Sequence, residues 1–562
     1  MEKIWELAPR KFDELVDQLL FNRGVITDGN DNEIAKNVFF QPEFDSDLYS
    51  PDKMKGISLA VSRIKKAAEN GEIVGIFSDY DADGIPGAAL LYRAFQKVGV
   101  KSEVYIPNRE VGYGLSREGV DYLLSKKCTL IITIDLGIRS IAEAVYCREN
   151  AVDLIITDHH LPGDEIPSAN IVINPKQPGD EYPFKELCGC AVVFKLITAL
   201  ATVFPKELDQ KYLKWNMDLV AISTIADVVP LLDENRTLAK FGLLVMNKTQ
   251  NFGLRSLIKV IGLGEEKKID AYQVGFQIAP RINAPGRVDH ATKSFELLVS
   301  SDENETKELS DWLNEKNSTR QDQMEKAQDE AVKIIEKDEL YKNKIIIVSS
   351  KWQRGIIGPT ASRLVEKFSR PVIMFAEEDD TMTGSARSVS GVNIVEIFEQ
   401  CSDEILKFGG HKGAAGITVE KDKFDKFIKK IVKVSKNVVT DDSLVKKIKI
   451  DAKVDLTELT MKLHSDLLKF EPFGMGNSRP TFLVSGVQFS TFRFVGKEMN
   501  HFSAVVEGPS YKFKAIWFNC PFKPDFFDRG KKYDVVFTLS LDEWQNQKTL
   551  SFNVQDLQLT KE

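Results

Sequence analysis

The sequence predicts an α/β protein in which a parallel-sheet domain is joined by a long helix to a smaller α/β domain, with a β-barrel at the C-terminal end. Three observations predict this. Apolar runs of strand length at 73–77, 129–134 and 154–157 are each followed by acidic or imidazole residues, at intervals long enough for a helix. That is the βαβ rhythm of an open parallel sheet. Residues 303–338 form a polar, helix-compatible run with neither Gly nor Pro. From Val445 onward, short apolar segments recur between turn signals, the pattern of a small barrel.

Composition bounds the reading. A chain of 562 residues is too long for one core, and about three domains are expected. A hydrophobic fraction of 43% and a charged fraction of 28% are those of a globular protein. The net charge of −8 does not by itself announce a nucleic-acid binder. Cys188 and Cys190 are the sole close cysteine pair and lack the second pair a zinc site needs. Buried free thiols in a reducing cytoplasm are expected instead. Residues 1–20 are charged and have no long apolar run, so neither a signal peptide nor a membrane span is expected. Residues 1–50 read as a leader with helical pieces at 11–20 and 32–37.

Four segments carry the chemistry. They hold Asp79, Asp81 and Asp83; Asp135; Asp158, His159 and His160; and Asp227. Ligands of open parallel sheets bind beyond the carboxyl ends of the strands. The spacing therefore brings these acids and imidazoles to one edge. So many carboxylates in one place raise one another's pKa or call for cations. Carboxylate oxygens with a minority of imidazole suit Mn²⁺ or Mg²⁺, and bridging carboxylates suggest two ions that clamp a phosphoryl transfer. The segment at 79–84 opens like a calcium loop, but its twelfth position is Leu90 where that loop needs Glu. His159 is expected as a direct ligand. His160 reads either as a donor to phosphate or as a group that orients a ligand.

The remaining elements follow in order. In the run 303–338, Leu309, Trp312 and Leu313, then Met324, Ala327, Ala331 and Ile334, form a discontinuous apolar stripe. A helix of this length suits a strut between domains better than an element within one. Residues 339–440 start with a strand at 344–349 and end in an amphipathic helix at 423–436 with a lysine face. Within them, Gly409, Gly410 and His411 lie in a glycine-rich stretch followed by helix-compatible small residues, suited to cradle a phosphate. Ser385 and Arg387, two apart, point to one side of an extended segment and can grip a terminal phosphate. The tail holds about 14 of the 34 Phe, interleaved with Lys and Arg. Stacking on bases and core packing both explain that composition.

These segments resemble the DHH phosphoesterase family, on the motif Asp158, His159, His160 and on the stretches 279–287, 352–358, 384–388 and 408–416. With the stretch 468–477, the resemblance extends to the RecJ-like single-strand-specific exonucleases. It covers about residues 50–550 in the expected order. It implies a DHH catalytic domain at 51–300, a connecting helix at 301–338, a DHHA1-like substrate-binding domain at 339–440 and an OB-like nucleic-acid-binding barrel at 441–562. It implies metal ligands at Asp79, Asp81, Asp83, Asp135, His159 and Asp227, with catalysis by Asp81, Asp83, Asp135, His159, His160 and Asp227. Substrate contacts are implied for Arg109, Tyr113, Arg281, Ser385, Arg387, Gly409, Gly410 and His411. Two departures stand out: Gln353 replaces a usual His, and the segment at Asp135 reads Asp-Leu-Gly where Asn or Cys is common in the middle.

The implied activity is 5′ to 3′ hydrolysis of single-stranded DNA to mononucleotides, by a cytoplasmic monomer that uses two Mn²⁺ or Mg²⁺ ions and serves repair and recombination. A single-strand-binding protein and a helicase are expected partners, and no membrane. The alternatives are a DHH phosphodiesterase of cyclic dinucleotides or very short oligonucleotides, and an inactive single-strand-binding scaffold. The aromatic tail argues against the first alternative, and the intact acids against the second.

Overall fold

The apolar runs that precede the acidic segments are strands, and they pair in parallel. The computed structural model describes residues 3–561 apart from 30–31, 108–113, 264–267, 289, 510 and 545–546. The strands are β1 (Ile73–Ser78), β2 (Lys101–Tyr105), β3 (Cys128–Ile134), β4 (Asp153–Thr157) and β5 (Ile171–Ile173), in spatial order β2-β1-β3-β4-β5. This is a doubly wound order, and its switch point lies between β1 and β3. The central strands β1, β3 and β4 are buried on both faces, which is why they read as continuous apolar runs, whereas the edge strand β2 is partly exposed. Their carboxyl ends stand in register, Ser78 opposite Ile134, Ile134 opposite Thr157 and Thr157 opposite Ile173.

Three helices complete the frame around this edge: α1 (Gly84–Val98), α2 (Gly189–Leu200) and α3 (Met217–Ala226). A π-helical turn, Val274–Ile278, leads into the short α4 (Ala279–Asn283). Helix α5 runs Glu303–Lys337 without a break, capped at its start by the Asp302 side chain. Lys293 lies over the Trp312 ring at 4.1 Å near one end, while Ala331 and Ile335 share a core with β6 (Ile346–Ser350) and α6 (Arg354–Phe368). Ile335, rather than Ile334, is the fully buried isoleucine of this last turn.

A second sheet has the order β9-β10-β8-β7-β6, with β7 at Val372–Glu377, β8 at Thr381–Arg387, β9 at Lys407–His411 and β10 at Ala414–Glu420. The glycine-rich stretch is thus a hairpin. The small residues after His411 continue as a strand, where a helix was compatible with them. They pair with both neighbours, His411 opposite Ala414 and Ala415 opposite Ala386, and a pleated hairpin tolerates small residues as well as a helix does. No helix of the described residues is long and apolar enough to cross a membrane. Five of the six cysteines are buried, and none is bridged.

The C-terminal segments form a separate unit. It comprises residues 5–50, 228–244 and 447–562. Its sheet has seven strands, from Ala452–Lys453 to Gln547–Leu559. Most tail aromatics fill the core of this barrel, among them Phe482, Phe489, Phe502, Phe537 and Phe552, each 0% exposed. Core packing therefore accounts for most of the aromatic composition. Residues 5–50, expected as a leader, pack here: Leu15, Leu19, Leu20 and Phe39 belong to the same core. Asn477 is buried and accepts from Arg23 Nε at 2.8 Å while donating to the Phe470 and Pro472 carbonyls.

Arg236 closes the unit. Its guanidinium is buried and donates to the carbonyls of Phe39, Phe470, Lys469 and Glu471 at 2.7–3.0 Å, with the Phe39 ring 3.8 Å away. Burial pushes this arginine down to about 9, because carbonyl oxygens replace water without supplying a countercharge. Each buried carbonyl left without a donor costs about 1–3 kcal/mol. Arg236→Met should therefore lower the stability of this unit by about 3 kcal/mol or more. Denaturant unfolding checks this, with Mn²⁺ binding by the other unit as a control. A change below about 1 kcal/mol would mean that the carbonyls find new donors.

Candidate metal centre

The strand register places the first residue after each strand side by side. The backbone N–H groups of Asp79, Asp135 and Asp158 extend the ladder by one bond each, to Ile134, Thr157 and Ile173. Asp79 and Asp135 therefore flank the switch point, where a crevice opens between strands whose helices leave on opposite sides. Asp135 adopts a left-handed conformation with φ of 62°, a turn that Asp tolerates better than most residues. Asp81 and Asp83 lie in the turn between β1 and α1. Asp81 Oδ1 accepts from the N–H groups of Asp83 at 2.8 Å and Gly84 at 3.1 Å.

Asp83 is held by the start of α2. The N–H groups of Gly189 and Cys190 reach its carboxylate at 2.6 and 2.8 Å. A helix N-terminus is a natural anion cradle. Gly189 is needed there, since a Cβ at this position would stand 2.6 Å from Asp135 Cβ. Asp227 caps the end of α3.

Three groups of side chains bring their donor atoms within 4.8 Å of one another: Asp79, Asp81 and Asp135; Asp83, His159 and Asp227; Asp135, His159 and His160. His159 Nε2 lies 3.1 Å from Asp135, 3.6 Å from Asp227 and 3.7 Å from Asp83. The Nε2 atom is buried and has no hydrogen-bond partner among the described residues. Burial, with the positive charge of His160 added, pushes His159 down to about 3, so the ring is neutral and offers a lone pair among oxygens. Asp83 is pushed up to about 6 by burial and by the charge of Asp81. Burial, then the charge of Asp83, also raises Asp135 and Asp227 well above the usual carboxylate range. Carboxylates raised by crowding around a neutral imidazole fit a hard divalent cation, Mn²⁺ or Mg²⁺.

Asp158 plays a different part. Its carboxylate accepts from the N–H groups of Ile138, His159 and His160 at 2.7–3.0 Å and from His160 Nδ1 at 2.8 Å. Burial works against its ionisation, but the bonds from His160 outweigh burial and hold it below the usual range. Burial likewise works against a charged His160, and the bond to Asp158 prevails and raises it. Asp158 thus fixes the histidine loop and keeps a proton on His160.

Sequence reasoning missed Asn283, whose side chain accepts from the Ala82 N–H at 2.7 Å and pins the acidic turn from α4. It also missed Asn174, which directly follows β5 and donates to the His160 carbonyl at 2.9 Å. An Asn directly after a short apolar run was the available signal.

Arg109 and Tyr113 lie outside the described residues. Ser385 and Arg387 share a face of β8 as their spacing implied, and Arg387 Nη1 donates to Ser385 Oγ at 3.0 Å. They stand against the first turns of α6, where a Cβ on Gly358 would come within 3.0 Å of both side chains. Gln353, the departure from the usual His, is the N-cap residue of α6 and makes no side-chain capping bond. Gly409, Gly410 and His411 lie on the edge strand β9, largely exposed. Burial, then the charges of His160, Arg139 and Lys176, lower His411, so the hairpin tip feels the histidine loop of the first sheet. Arg281 is half-buried, with Nε on Asn314 Oδ1 at 2.9 Å.

A cluster of carboxylates and imidazole at the carboxyl edge of a parallel sheet, linked through a long helix to a glycine-rich second sheet, defines a DHH-type phosphoesterase. The description "DHH family, N-terminal domain" matches residues 73–224, "DHHA1 domain" matches 342–437 and "RecJ OB domain" matches 450–556. The single-stranded-DNA-specific exonuclease RecJ of Bacillus subtilis is 35% identical over 96% of this chain and 67% of its own length. That of Escherichia coli is 31% identical over 90% of each chain. The crystal structure of RecJ in complex with Mn²⁺ from Thermus thermophilus superposes with a TM-score of 0.84 at 26% identity, covering 100% of this chain and 80% of that one. The chain belongs to the RecJ family.

The raised carboxyls lead to a pH prediction. Unfolding returns Asp83, Asp135 and Asp227 to ordinary values, so the unfolded state releases protons above about pH 4. His159 works the other way, since its ring is neutral in the fold and takes a proton on unfolding below about pH 6.5. Three raised carboxyls outweigh one imidazole, so the metal-free protein should lose stability as pH rises from about 4 through about 6, where Asp83 ionises in the folded state. Thermal unfolding in chelator should give a lower midpoint at about pH 7 than at about pH 5, and Mn²⁺ should remove the difference. A midpoint that rises over that interval would contradict the crowding of these carboxyls.

Proposed function

We propose that this chain is a metal-dependent, single-stranded-DNA-specific exonuclease that releases mononucleotides from the 5′ end. The observation that carries the reading is the set of donor triads that interlock through Asp135 and His159, in a chain that matches RecJ relatives over nearly its whole length. Asp79, Asp81 and Asp135 would hold one divalent ion, and Asp83, His159 and Asp227 a second. When bound, such a pair supplies an activated water and charge neutralisation at an in-line phosphoryl displacement.

The chain's own residues do the rest. The α2 amides fix Asp83, and Asp158 keeps the His160 ring protonated and oriented. His160, partly exposed, can then donate to a phosphate oxygen. Ser385 and Arg387 are proposed to grip the 5′-terminal phosphate, with Arg109, Tyr113 and Arg281 as further contacts. The exposed edge of β9, with His411, is proposed to line the path of the strand. No protein nucleophile is required. The barrel would supply a second binding surface for the single strand. Monomeric state, cytoplasmic location, and work beside a single-strand-binding protein and a helicase belong to the same proposal.

The test is hydrolysis of a long 5′-labelled single strand. Activity should require Mn²⁺ or Mg²⁺ and vanish in chelator. Asp135→Ala should abolish it while strand binding persists. Full activity without metal would reject the reading.

End recognition is tested separately. Arg387→Ala should lower the rate on 5′-phosphorylated strands by about tenfold to a hundredfold, since a charge-assisted bond contributes about 1.5–3 kcal/mol. The loss should shrink on a 5′-hydroxyl strand. Equal losses on both substrates would move Arg387 to an internal phosphate.

For the barrel, cutting the chain after Val439 would strip the core that residues 15–39 share with it, so a point variant is the cleaner test. Phe518 is 62% exposed, unlike most tail aromatics. Phe518→Ala should weaken binding of a long strand by about 1–3 kcal/mol if a base stacks there.

A further inference from the structure

The apolar stripe of α5 is interrupted between Leu313 and Met324, and the structure shows what fills the gap. The buried face there carries Asn317, 1% exposed, and Arg320, 8% exposed. A buried guanidinium ordinarily has a carboxylate partner. Arg320 has none among the described residues. Its Nη2 donates to Asn317 Oδ1 at 2.8 Å, and its Nε is buried with no acceptor.

The arrangement repeats one turn earlier. Asn314 accepts from Arg281 Nε at 2.9 Å, and the Arg281 Nη1 donates to the Gln277 carbonyl at 2.7 Å. Arg281 also lacks a carboxylate partner among the described residues. Two guanidiniums are thus seated on adjacent turns of one helix, both on neutral oxygens. Gln323, three residues beyond Arg320, brings another buried amide oxygen without a hydrogen-bond partner, again a neutral one.

The chemistry of that choice is specific. Asp or Glu would orient a guanidinium and cancel its charge. An amide oxygen orients it and leaves the charge for something else. Asn is also a poor residue for a helix interior, so two of them three apart carry a local cost. Burial, with Arg363 and Arg281 nearby, pushes Arg320 down to about 10, still protonated at neutral pH. The half-buried Arg281 leaves the pair an open side. Two residues beyond it, Asn283 pins the acidic turn, so the pair belongs to an element anchored on the metal centre.

We infer that Arg320 and Arg281, seated on Asn317 and Asn314, form an anion site that takes a backbone phosphate of the single strand. Arg281 was already a candidate contact; the new members are Arg320 as a ligand-binding residue and the two asparagines as its neutral supports. The inference rests on the exonuclease reading above.

The experiment uses the full chain in chelator, so that the strand is bound and not cut. The probe is a fluorescent, 5′-phosphorylated oligothymidine, titrated over a range of salt. Arg320→Gln should weaken binding about tenfold at low salt. It should also flatten the log–log salt dependence by about 0.7, the value of one phosphate contact on a single strand.

Asn317→Asp is the decisive variant. It keeps Arg320 in place and pairs it, so binding and salt slope should fall as in Arg320→Gln while the unfolding midpoint stays at or above that of wild type. Asn317→Asp with wild-type affinity and slope would overturn the inference. So would weakened binding by Arg320→Gln with an unchanged slope, which marks a packing role. A wild-type chain that neither binds the strand nor, with Mn²⁺ added, cuts it would overturn the exonuclease reading itself.

Discussion

Negative charge forced together at the end of a parallel sheet is the condition on which the rest of this unit depends. Asp79, Asp81, Asp83, Asp135 and Asp227 converge where strands end and helices begin, and their repulsion must be absorbed. Backbone amides absorb part of it: the α2 N-terminus takes Asp83, and the turn before α1 takes Asp81. A divalent cation, when bound, would absorb the rest. The same burial that raises the carboxyls keeps His159 neutral, and so the ring becomes a ligand instead of a counterion. One physical cause, low local dielectric, assigns opposite roles to acids and imidazole.

The acids were legible in the sequence because their information is local. Asp79 and Asp135 directly follow apolar strands, Asp81 and Asp83 lie in the turn after the first of them, and strand ends share an edge by the topology of a doubly wound sheet; Asp227 comes instead from the end of a helix. Ser385 and Arg387 were legible for the same reason, as a two-residue spacing on a strand. What could not be read was partnership across long separations. Nothing near Asp83 in sequence points to the amides of Gly189 and Cys190. Nothing near residues 15–39 points to the barrel core that they join. The tail phenylalanines suited both stacking and packing, and burial decided mostly for packing. The segment after His411 was ambiguous because Ala and Gly permit helix and strand alike, and pairing with β8 settled it. The interrupted stripe of α5 was visible, but a gap in hydrophobicity does not say what fills it.

Both units use neutral oxygens to seat buried arginines. Arg236 gathers four carbonyls and an aromatic ring, and its charge is spent on joining chain segments that are far apart in sequence. Arg281 and Arg320 have fewer acceptors. The difference is one of saturation: a guanidinium with its donors filled is a clasp, and one with donors left over is a receptor. Counting acceptors around a buried arginine thus separates the two roles where burial alone does not.

The register of the first sheet has a consequence for how the protein assembles. Sliding one strand past its neighbour by a residue would displace its terminal aspartate by about 3.3 Å, more than the whole length of a metal–oxygen bond of about 2.0–2.2 Å. The continuous apolar strands at the centre of the sheet have little in their side-chain pattern to forbid such a slip, since both of their faces are buried in any register. A divalent ion does discriminate, because only the aligned edge offers a full coordination shell. The ion would then act as a gauge of alignment during folding, stabilising correctly paired sheets over slipped ones before any substrate is met.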